Sequence, residues 1–340
     1  LTVRLRGLQI RHLGKALHYV FHNEDDGEGE VTSFGALCTA LSATIGTGNI
    51  VGCATAIVAG GPGALFWMWL AAFFGMATKY AEGMLAVKYR VIAEDGHTLG
   101  GPFYYIEKGM GKNFKWLAKL FCVFGTMVGL FGIGTFTQVN GITSAVNNFF
   151  DPSNVHTISL FGMNYSISVV VAGIIVTICA GLVIIGGIKR ISKVSEVIVP
   201  FMAVTYIGVC LIIVFTHLPQ VPAAFAEIVQ SAFGLKAVAG GAIGAMTVAM
   251  QKGIARGIFS NEAGLGSAPI AAAAAQTNEP VRQGLVSMTG TFIDTIVICT
   301  MTGLAIVLTQ SYTTGLDGAA MTTHAFSVGL FIPLIGKYIV

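Results

Sequence analysis

Residues Ala36 to Gly61, ALCTALSATIGTGNIVGCATAIVAGG, form the stretch that decides the fold. The stretch is apolar enough to lie in a bilayer, but Gly46, Gly48 and Asn49 near its middle favour a break in the helix. Backbone groups left unpaired in lipid cost several kcal/mol each, so a break persists only where it is buried in protein or lines a watery cavity. The stretch therefore predicts a discontinuous membrane helix whose break is a binding site.

The composition indicates an integral membrane protein. Charged residues make up 10% of the 340 residues and hydrophobic residues 54%, and the mean hydropathy is +0.76. A soluble domain carries about 25% charged residues, so that class is excluded. We expect a multi-pass, all-α protein of the plasma membrane of the cell, with the lipid bilayer as its surroundings and no nucleic-acid partner. The sequence does not indicate an oligomeric state.

Seven apolar spans follow an amphipathic lead-in. Residues 1–31 are a basic segment and an acidic linker, which we expect on the cytoplasmic face. A bilayer core takes about 20 helical residues. The spans are 33–61, 63–88, 116–149, 166–187, 194–217, 237–275 and 284–309, with an eighth opening near Phe326. The chain starts at Leu1 without a methionine and stops at Val340 within an apolar run, so we expect a fragment of a longer polypeptide.

Basic residues predict the orientation. They cluster in 4–15, 88–115 and 189–193, which fall on one side of the membrane if the spans alternate, whereas the opposite loops hold almost only Lys236. By the positive-inside rule the basic side is cytoplasmic. The first span therefore runs from inside to outside.

Two loops carry helical patterns of their own. The segment GGPFYYIEKGMG at 100–111 predicts an interfacial or partly re-entrant helix, against the alternative of a plain loop. Residues 221–234 place apolar side chains at helical spacing, which predicts a short helix on the outer membrane surface.

A second break is predicted in the span from Leu235 to Ala275. Its 41 residues at 1.5 Å each are roughly twice the thickness of the bilayer core. Ser260 or Asn261 is a suitable N-cap for a second half-helix with Glu262 in its first turn. The alternative is two unrelated helices joined by a loop at the membrane surface.

Two interrupted spans in one chain are the sequence pattern of an inverted-repeat transporter with its site at the membrane midplane. We expect one transporter domain over 1–340, with a first five-helix repeat at 33–217 and an incomplete second repeat at 237–340. Half-helix N-termini offer N–H groups to a carboxylate, and unwound carbonyls suit a cation or an ammonium.

The sequence does not predict an enzyme. It lacks a phosphate-binding glycine loop, a Cys/His metal cluster and any GxSxG or HExxH arrangement. An ion channel is the alternative from another class, but a channel needs repeated filter residues, and the two breaks differ in sequence.

Several motifs resemble one transporter family. GGPGALFWMWLAAFFG at 60–75 is similar to the signature of the sodium:alanine symporters, also called alanine or glycine:cation symporters. ATIGTGNI, GMATKYAE, GGPFYYIEKG, FSNEAGLGSAPIAAAA and LVSMTGTFIDT also resemble that family, so the resemblance covers essentially the whole chain. It implies a LeuT-like inverted-repeat transporter fold and sodium-driven uptake of alanine or glycine by alternating access. Family members have an extra helix before this start and roughly three after this end.

The resemblance also assigns residues. It implies that Thr47 and Gly48 bind the substrate carboxylate, that Gln138 reaches the same ligand, and that Phe259, Ser260 and Asn261 bound the side-chain pocket and accept from the ammonium. More distant similarity implies that the carbonyls of Ser42 and Ile45 coordinate sodium together with groups from the eighth span. Sodium is thus the expected coupling ion, with no organic cofactor.

Charged residues near the breaks leave alternatives open. Lys252 and Arg256 lie at intramembrane depth with Asp294 as a possible partner, and they are either functional charges or a structural pair. Glu262 and Asp294 are the first candidates if the carrier is coupled to protons instead of sodium. Lys79 and Glu82, three residues apart, are expected as a solvated or snorkelling pair. Since the break side chains are small and uncharged, we expect a small neutral zwitterion as substrate.

Overall fold

The computed structural model describes residues 1–23, 27–132, 134–160, 162–234 and 241–330, and helices dominate it. The helices are α1 (Leu8–Arg11), α2 (Leu13–Phe21), α3 (Ser33–Thr44), α4 (Cys53–Gly60), α5 (Gly63–Lys88), α6 (Pro102–Met110), α7 (Lys115–Leu130), α8 (Thr135–Phe150), α9 (Ile167–Ile184), α10 (Gly187–Thr216), α11 (Val221–Ala232), α12 (Ala242–Asn261), α13 (Ala268–Ala273), α14 (Pro280–Thr291), α15 (Thr300–Leu308) and α16 (Gly318–Gly329). Two π-helical turns, Gly48–Gly52 and Phe292–Cys299, lead into α4 and α15.

The first span is broken where the sequence predicts. Helix α3 ends at Thr44, Ile45 is extended, and the axis turns by 53° before the helix resumes at Gly48. The N–H of Gly46 donates to the side-chain oxygen of Asn49 at 2.8 Å instead of continuing the helical ladder. A local side-chain acceptor thus replaces a backbone carbonyl at the break.

The second span is also interrupted, but the predicted capping is wrong. Helix α12 continues through Ser260 and Asn261 and ends there, and Glu262 follows in the left-handed conformation with φ 53°. The loop then runs to Ser267, which is the N-cap of the six-residue helix α13. A left-handed residue at the helix end, here with Gly264 two positions later at φ +92°, is a helix C-terminal signal, and it outweighs the N-cap preference of serine and asparagine.

Length and composition identify the membrane spans of the described chain. Four helical segments qualify: Lys112–Phe150, Ile167–Ile184, Gly187–Thr216 and Pro280–Leu308. The bent pair of α3 with the Gly48–Gly60 segment makes a fifth. Helices α5 and α12, which the sequence also predicts as spans, are not among these segments.

The third predicted span is divided into two helices. Helix α7 ends at Leu130 and α8 begins at Thr135. Gly132 and Gly134 lie between them with φ of +61° and +87°, which glycine adopts readily. The division places Gln138 in the first turn of α8.

Helix α5 is the centre of the packing. It lies along α12 and α14, and the contacts are close because glycines face it. A Cβ on Gly253 would lie 2.2 Å from the Ala64 carbonyl oxygen, and one on Gly83 would lie 2.3 Å from the Ser287 hydroxyl. Small residues let membrane helices approach closely, and this brings both broken spans against one helix.

The helices predicted in the two loops form. Helix α6 covers Pro102–Met110, and α11 covers Val221–Ala232. The Tyr312 hydroxyl donates to the Glu227 carboxylate of α11 at 2.7 Å. Burial, with this carboxylate, raises the pKa of Tyr312 to about 12, so the phenol stays protonated as a donor.

Other parts differ from expectation or lie outside the described residues. Two short hairpins, Val91–Ile92 with Thr98–Leu99 and Thr157–Leu160 with Met163–Ser166, add strands to the expected all-α fold. The lead-in packs on α5 and α14 and is not merely solvated, since Gln9 is buried and donates to the Phe73 carbonyl. Phe326 lies inside α16, which ends at Gly329. Lys236 and the expected eighth span beyond residue 330 fall outside the described ranges.

Candidate binding site at the two helix breaks

Asn49 connects the two breaks through its side chain. Its amide nitrogen donates to the Ser260 hydroxyl at 3.1 Å and to the Asp294 carboxylate at 2.7 Å. These partners lie on α12 and on the π-helical turn before α15, more than 200 positions away in sequence. Asn49 is 1% exposed, so these bonds are made away from bulk water. The first break is therefore tied directly to the second.

Asp294 is the acidic centre of this cluster. It is fully buried, and both of its carboxylate oxygens accept hydrogen bonds. Ser260 donates at 2.9 Å and Thr295 at 2.7 Å, in addition to Asn49. All three donors are neutral, and no basic side chain of the described residues lies within 4.0 Å of the carboxylate. The cluster therefore holds one buried negative charge that no ion pair offsets.

Gln138 closes the first break from the side of α8. Its amide oxygen accepts from both the N–H and the hydroxyl of Thr47, each at 3.0 Å. A Cβ on Gly141 would lie 2.5 Å from the Thr47 side chain, so the glycine permits this approach. The amide oxygen thus takes the two donors that the family resemblance assigns to a substrate carboxylate.

Gly48 and Asn261 line the same region. A Cβ on Gly48 would lie 3.5 Å from the Ser260 Cα, so the two breaks are in near contact. Asn261 is buried and donates to the Thr295 hydroxyl at 3.0 Å, while its carbonyl oxygen accepts from the N–H of Ala263. Thr47, Gly48, Gln138, Ser260 and Asn261, which the family resemblance assigns to the substrate, thus lie in one region.

The backbone at the first break has free acceptors. The N–H of Gly46 bonds to Asn49 and the N–H of Asn49 bonds to the Gly46 carbonyl. In an unbroken helix these groups would bond to the carbonyls of Ser42 and Ile45. Both carbonyls are thus released from the helical ladder, which is the condition that the predicted sodium coordination requires.

Two predicted residues lie at the margin of the site. The ring of Phe259 is 44% exposed, so its predicted position as a wall of the pocket is open to the surroundings. Glu262 is half-buried in the loop after α12, where its carboxylate accepts from the Ser267 hydroxyl. Glu262 therefore holds the loop rather than starting a helix.

The charge pairs expected from the sequence do not form. Lys252 and Arg256 are exposed, and among the described residues neither pairs with Asp294. Lys79 and Glu82 are 3% and 7% exposed, so they are not the solvated pair that their spacing suggests. The reason is tertiary: α5 is enclosed by α12 and α14, whereas the face of α12 that carries Lys252 is left uncovered.

Sequence reasoning missed three contributors. The sequence indicates Asn49 only as part of a helix break, does not single out Thr295, and predicts a solvated or snorkelling Lys79. The available signal for Asn49 and Thr295 was polar residues in apolar runs, which in membranes usually find a partner. Among the described residues no group of three His, Cys, Asp or Glu could hold a metal ion. A cation at this site would therefore need hydroxyl and carbonyl oxygens besides Asp294.

The geometry defines the class of protein. Several helices apolar enough to cross a membrane, one of them bent at a break, meet the interrupted α12–α13 segment at a buried polar cluster, as in a transporter. A family model described as "Sodium:alanine symporter family" matches residues 1–340 of the chain. The chain therefore belongs to this family. It is accordingly an amino-acid transporter of the membrane and not an enzyme.

Three relatives show how the family extends around this chain. An uncharacterized transporter of Haemophilus influenzae is 58% identical over 97% of this chain and 69% of its own length. The sodium/alanine symporter AgcS of Methanococcus maripaludis is 47% identical, over 96% and 70% of the two chains. The probable sodium/glutamine symporter GlnT of Bacillus subtilis is 41% identical, over 96% and 64%.

Proposed function

We propose that this protein couples the inward movement of sodium to the uptake of a small neutral amino acid, alanine or glycine. The observation that carries the proposal is the Asn49, Ser260 and Asp294 cluster, which places a buried carboxylate held only by neutral donors where the two breaks meet. A buried negative charge of this kind favours a cation, because burial without a counter-charge is costly. The sodium/alanine relative supports the same ion and substrate.

The donor set suits sodium better than a transition metal. The cluster offers oxygen atoms of Asp294, Ser260 and Thr295. The carbonyls of Ser42 and Ile45, which have lost their helical donors, lie at the neighbouring first break. Carboxylate, hydroxyl and carbonyl oxygens are ligands of hard cations, and unwound helix carbonyls serve this role in transporters. A sodium ion near Asp294 would neutralise the carboxylate and pull both breaks together.

The substrate would bind beside the ion. Its carboxylate would replace the Gln138 amide oxygen at the N–H and hydroxyl of Thr47, which are already aligned on one acceptor. Its ammonium would face the carbonyls at the end of α12, where the helix dipole is negative. The short distance between Gly48 and Ser260 leaves room for a small side chain only.

Transport would follow from movement at the breaks. We infer a LeuT-like arrangement in which the first repeat at 33–217 and the second, beginning at 237, rock against each other around this site. One sodium ion crossing 100 mV contributes about 2.3 kcal/mol, enough to concentrate a neutral solute roughly fiftyfold before the sodium gradient is counted.

The test is uptake of labelled alanine and glycine into liposomes that contain the protein. Uptake should require inward sodium, should saturate with substrate, and should be lost in Asp294→Asn, whose amide cannot neutralise a cation. The exposed Glu94→Gln in the 91–99 hairpin is the matched control and should transport normally. Sodium-independent uptake in the wild type would contradict the proposal.

The same liposomes separate the alternatives. If an inward proton gradient without sodium drives uptake, the carrier is proton-coupled and Asp294 or Glu262 is the group to examine. An ohmic current that does not saturate would instead indicate an ion channel.

A further inference from the structure

Lys79 is a buried cation without a bonded partner. Its side chain is almost completely enclosed within α5, at 3% exposure. Among the described residues no carboxylate oxygen lies within 4.0 Å of its ammonium nitrogen, and no hydrogen bond to it is formed. A buried ammonium in that condition is costly, so it is retained for more than packing.

Lys79 borders a small cavity beside the two breaks. It lines a cavity of about 20 Å³ together with Leu37, Thr44, Asn261, Ser287 and Gly290. This volume accommodates about one water molecule. The cavity lies directly beside both breaks, on the predicted cytoplasmic side of the Asn49 cluster.

Three acidic groups act electrostatically on this ammonium: Glu82, Glu262 and Asp294. Glu82 is three positions further along α5, on the same helix face, and is itself 7% exposed. One of its oxygens accepts from the N–H of Gly266 at 3.2 Å, in the loop of the second break. The other oxygen is buried and has no hydrogen-bond partner among the described residues.

Two complementary groups are therefore left unpaired on one helix face. The Lys79 ammonium and the second Glu82 oxygen are natural partners, yet they do not meet in this conformation. On the other side the oxygens of Asp294 are held by neutral donors that a cation could displace. The Lys79 ammonium thus interacts electrostatically with both carboxylates and, among the described residues, is paired with neither.

We propose that Lys79 is a tethered cation that competes with sodium for Asp294 and pairs with Glu82 when sodium binds. The inference rests on the proposed sodium coupling at Asp294. With sodium bound, repulsion drives Lys79 to Glu82, which keeps its hold on Gly266 and closes the second break against α5. After sodium leaves, Lys79 returns to Asp294. Glu82 is then buried without a counter-charge, and it no longer favours the closed position of the loop that contains Gly266.

The proposal predicts opposite effects for two neutral variants. Lys79→Met removes the competitor, so the sodium concentration for half-saturation should fall about tenfold, an effect expected when a neighbouring like charge is removed. Glu82→Gln removes the alternative partner and leaves Lys79 on Asp294, so the same concentration should rise about tenfold. The double variant should behave like Lys79→Met, because Glu82 affects sodium binding only by pairing with Lys79, which is then absent.

Sodium binding should be measured on the purified protein, as the rise in thermal midpoint when NaCl replaces choline chloride at constant ionic strength. Lys193→Met, an exposed lysine of α10, is the control and should match the wild type. If Lys79→Met does not fold, Lys79→Gln takes its place. If Lys79 and Glu82 are only a structural pair, both single variants should be less stable, and sodium binding should not shift in opposite directions. That result would overturn the proposal. Additive effects of the two substitutions in the double variant would also overturn it.

The wild type separates this proposal from the one it rests on. If sodium neither stabilises the wild type nor drives uptake, the proposed function itself fails. If the wild type responds to sodium while the two variants shift together or not at all, only the role of Lys79 fails.

Discussion

Asn49 shows what one side chain can contribute at a helix break. Its oxygen accepts the N–H of Gly46 within its own break, and its nitrogen donates to Ser260 and Asp294 across the interior. An amide is suited to this role because it is donor and acceptor at once. Aspartate could not donate, and leucine could do neither, so the residue type follows from the geometry.

Gly48 faces Ser260 of the second break across the candidate site. Alanine at this position would put its Cβ at ordinary contact distance from Ser260, 3.5 Å from the Cα. Valine would add two methyl groups beyond a Cβ that already contacts Ser260, and overpacking of this kind costs about 1–3 kcal/mol. We expect Gly48→Val to weaken alanine binding by roughly 10- to 100-fold and Gly48→Ala to weaken it less.

Equilibrium binding of labelled alanine to purified protein measures this difference. Gly52→Ala is the control in the same π-helical turn, because a Cβ there meets no atom within 4 Å. Unchanged affinity in Gly48→Val would remove Gly48 from the site.

At the scale of elements, helix α5 determines how close the broken spans can come. Gly253 of α12 faces the backbone of α5, and an added Cβ would lie 2.2 Å from the Ala64 oxygen and 2.8 Å from the Trp67 Cβ. Backbone cannot move aside as a side-chain end can. The position of Ser260, two turns further along α12, depends on this contact.

Gly253→Ala should therefore destabilise the protein by about 1–3 kcal/mol, as overpacking does. Gly244→Ala in the same helix should be neutral or stabilising by up to about 1 kcal/mol, since its Cβ meets no atom within 4 Å and alanine favours helix. Thermal unfolding in detergent, followed by intrinsic fluorescence, compares the two. Equal midpoints would show that α12 does not need this close approach.

At the scale of the whole molecule, Arg90 joins parts of the chain that are far apart in sequence. Its guanidinium donates to the carbonyls of Ala273, Ala275 and Thr277 after α13, and to that of Glu28 in the linker. The linker also pairs with this segment, with Val31 opposite Ala275. The end of the second break is thus fastened to the segment that precedes the first.

Arg90→Lys keeps the charge but loses the planar fork that reaches four carbonyls. We expect a loss of about 1.5–3 kcal/mol, the range for hydrogen bonds to charged groups, and faster proteolysis in residues 22–32. Arg190→Lys is the matched control, since the exposed Arg190 donates to one carbonyl only. Limited proteolysis with thermal unfolding tests this, and equal cleavage of both variants would contradict it.

The sequence by itself determined the membrane class, the first break, the presence of a second break, the surface helices and the family. These depend on local composition, on glycine within apolar runs and on motifs that are contiguous in the chain. Thr47, Gly48, Gln138 and Asp294 could be named in this way. The residues at which the helix ends and resumes around the second break could not be predicted from the sequence. The reason is that Ser260, Asn261 and Ser267 have nearly equal preferences as cap residues.

Only the tertiary structure decided which polar groups meet. Asn49 and Asp294 are 245 positions apart, and no pattern in either segment predicts their bond. The burial of Lys79 and the exposure of Lys252 were likewise set by which helix faces α12 and α14 cover. Hydropathy measures what a residue prefers, whereas partners are set by packing between distant segments, and the charges at this site depend on the latter.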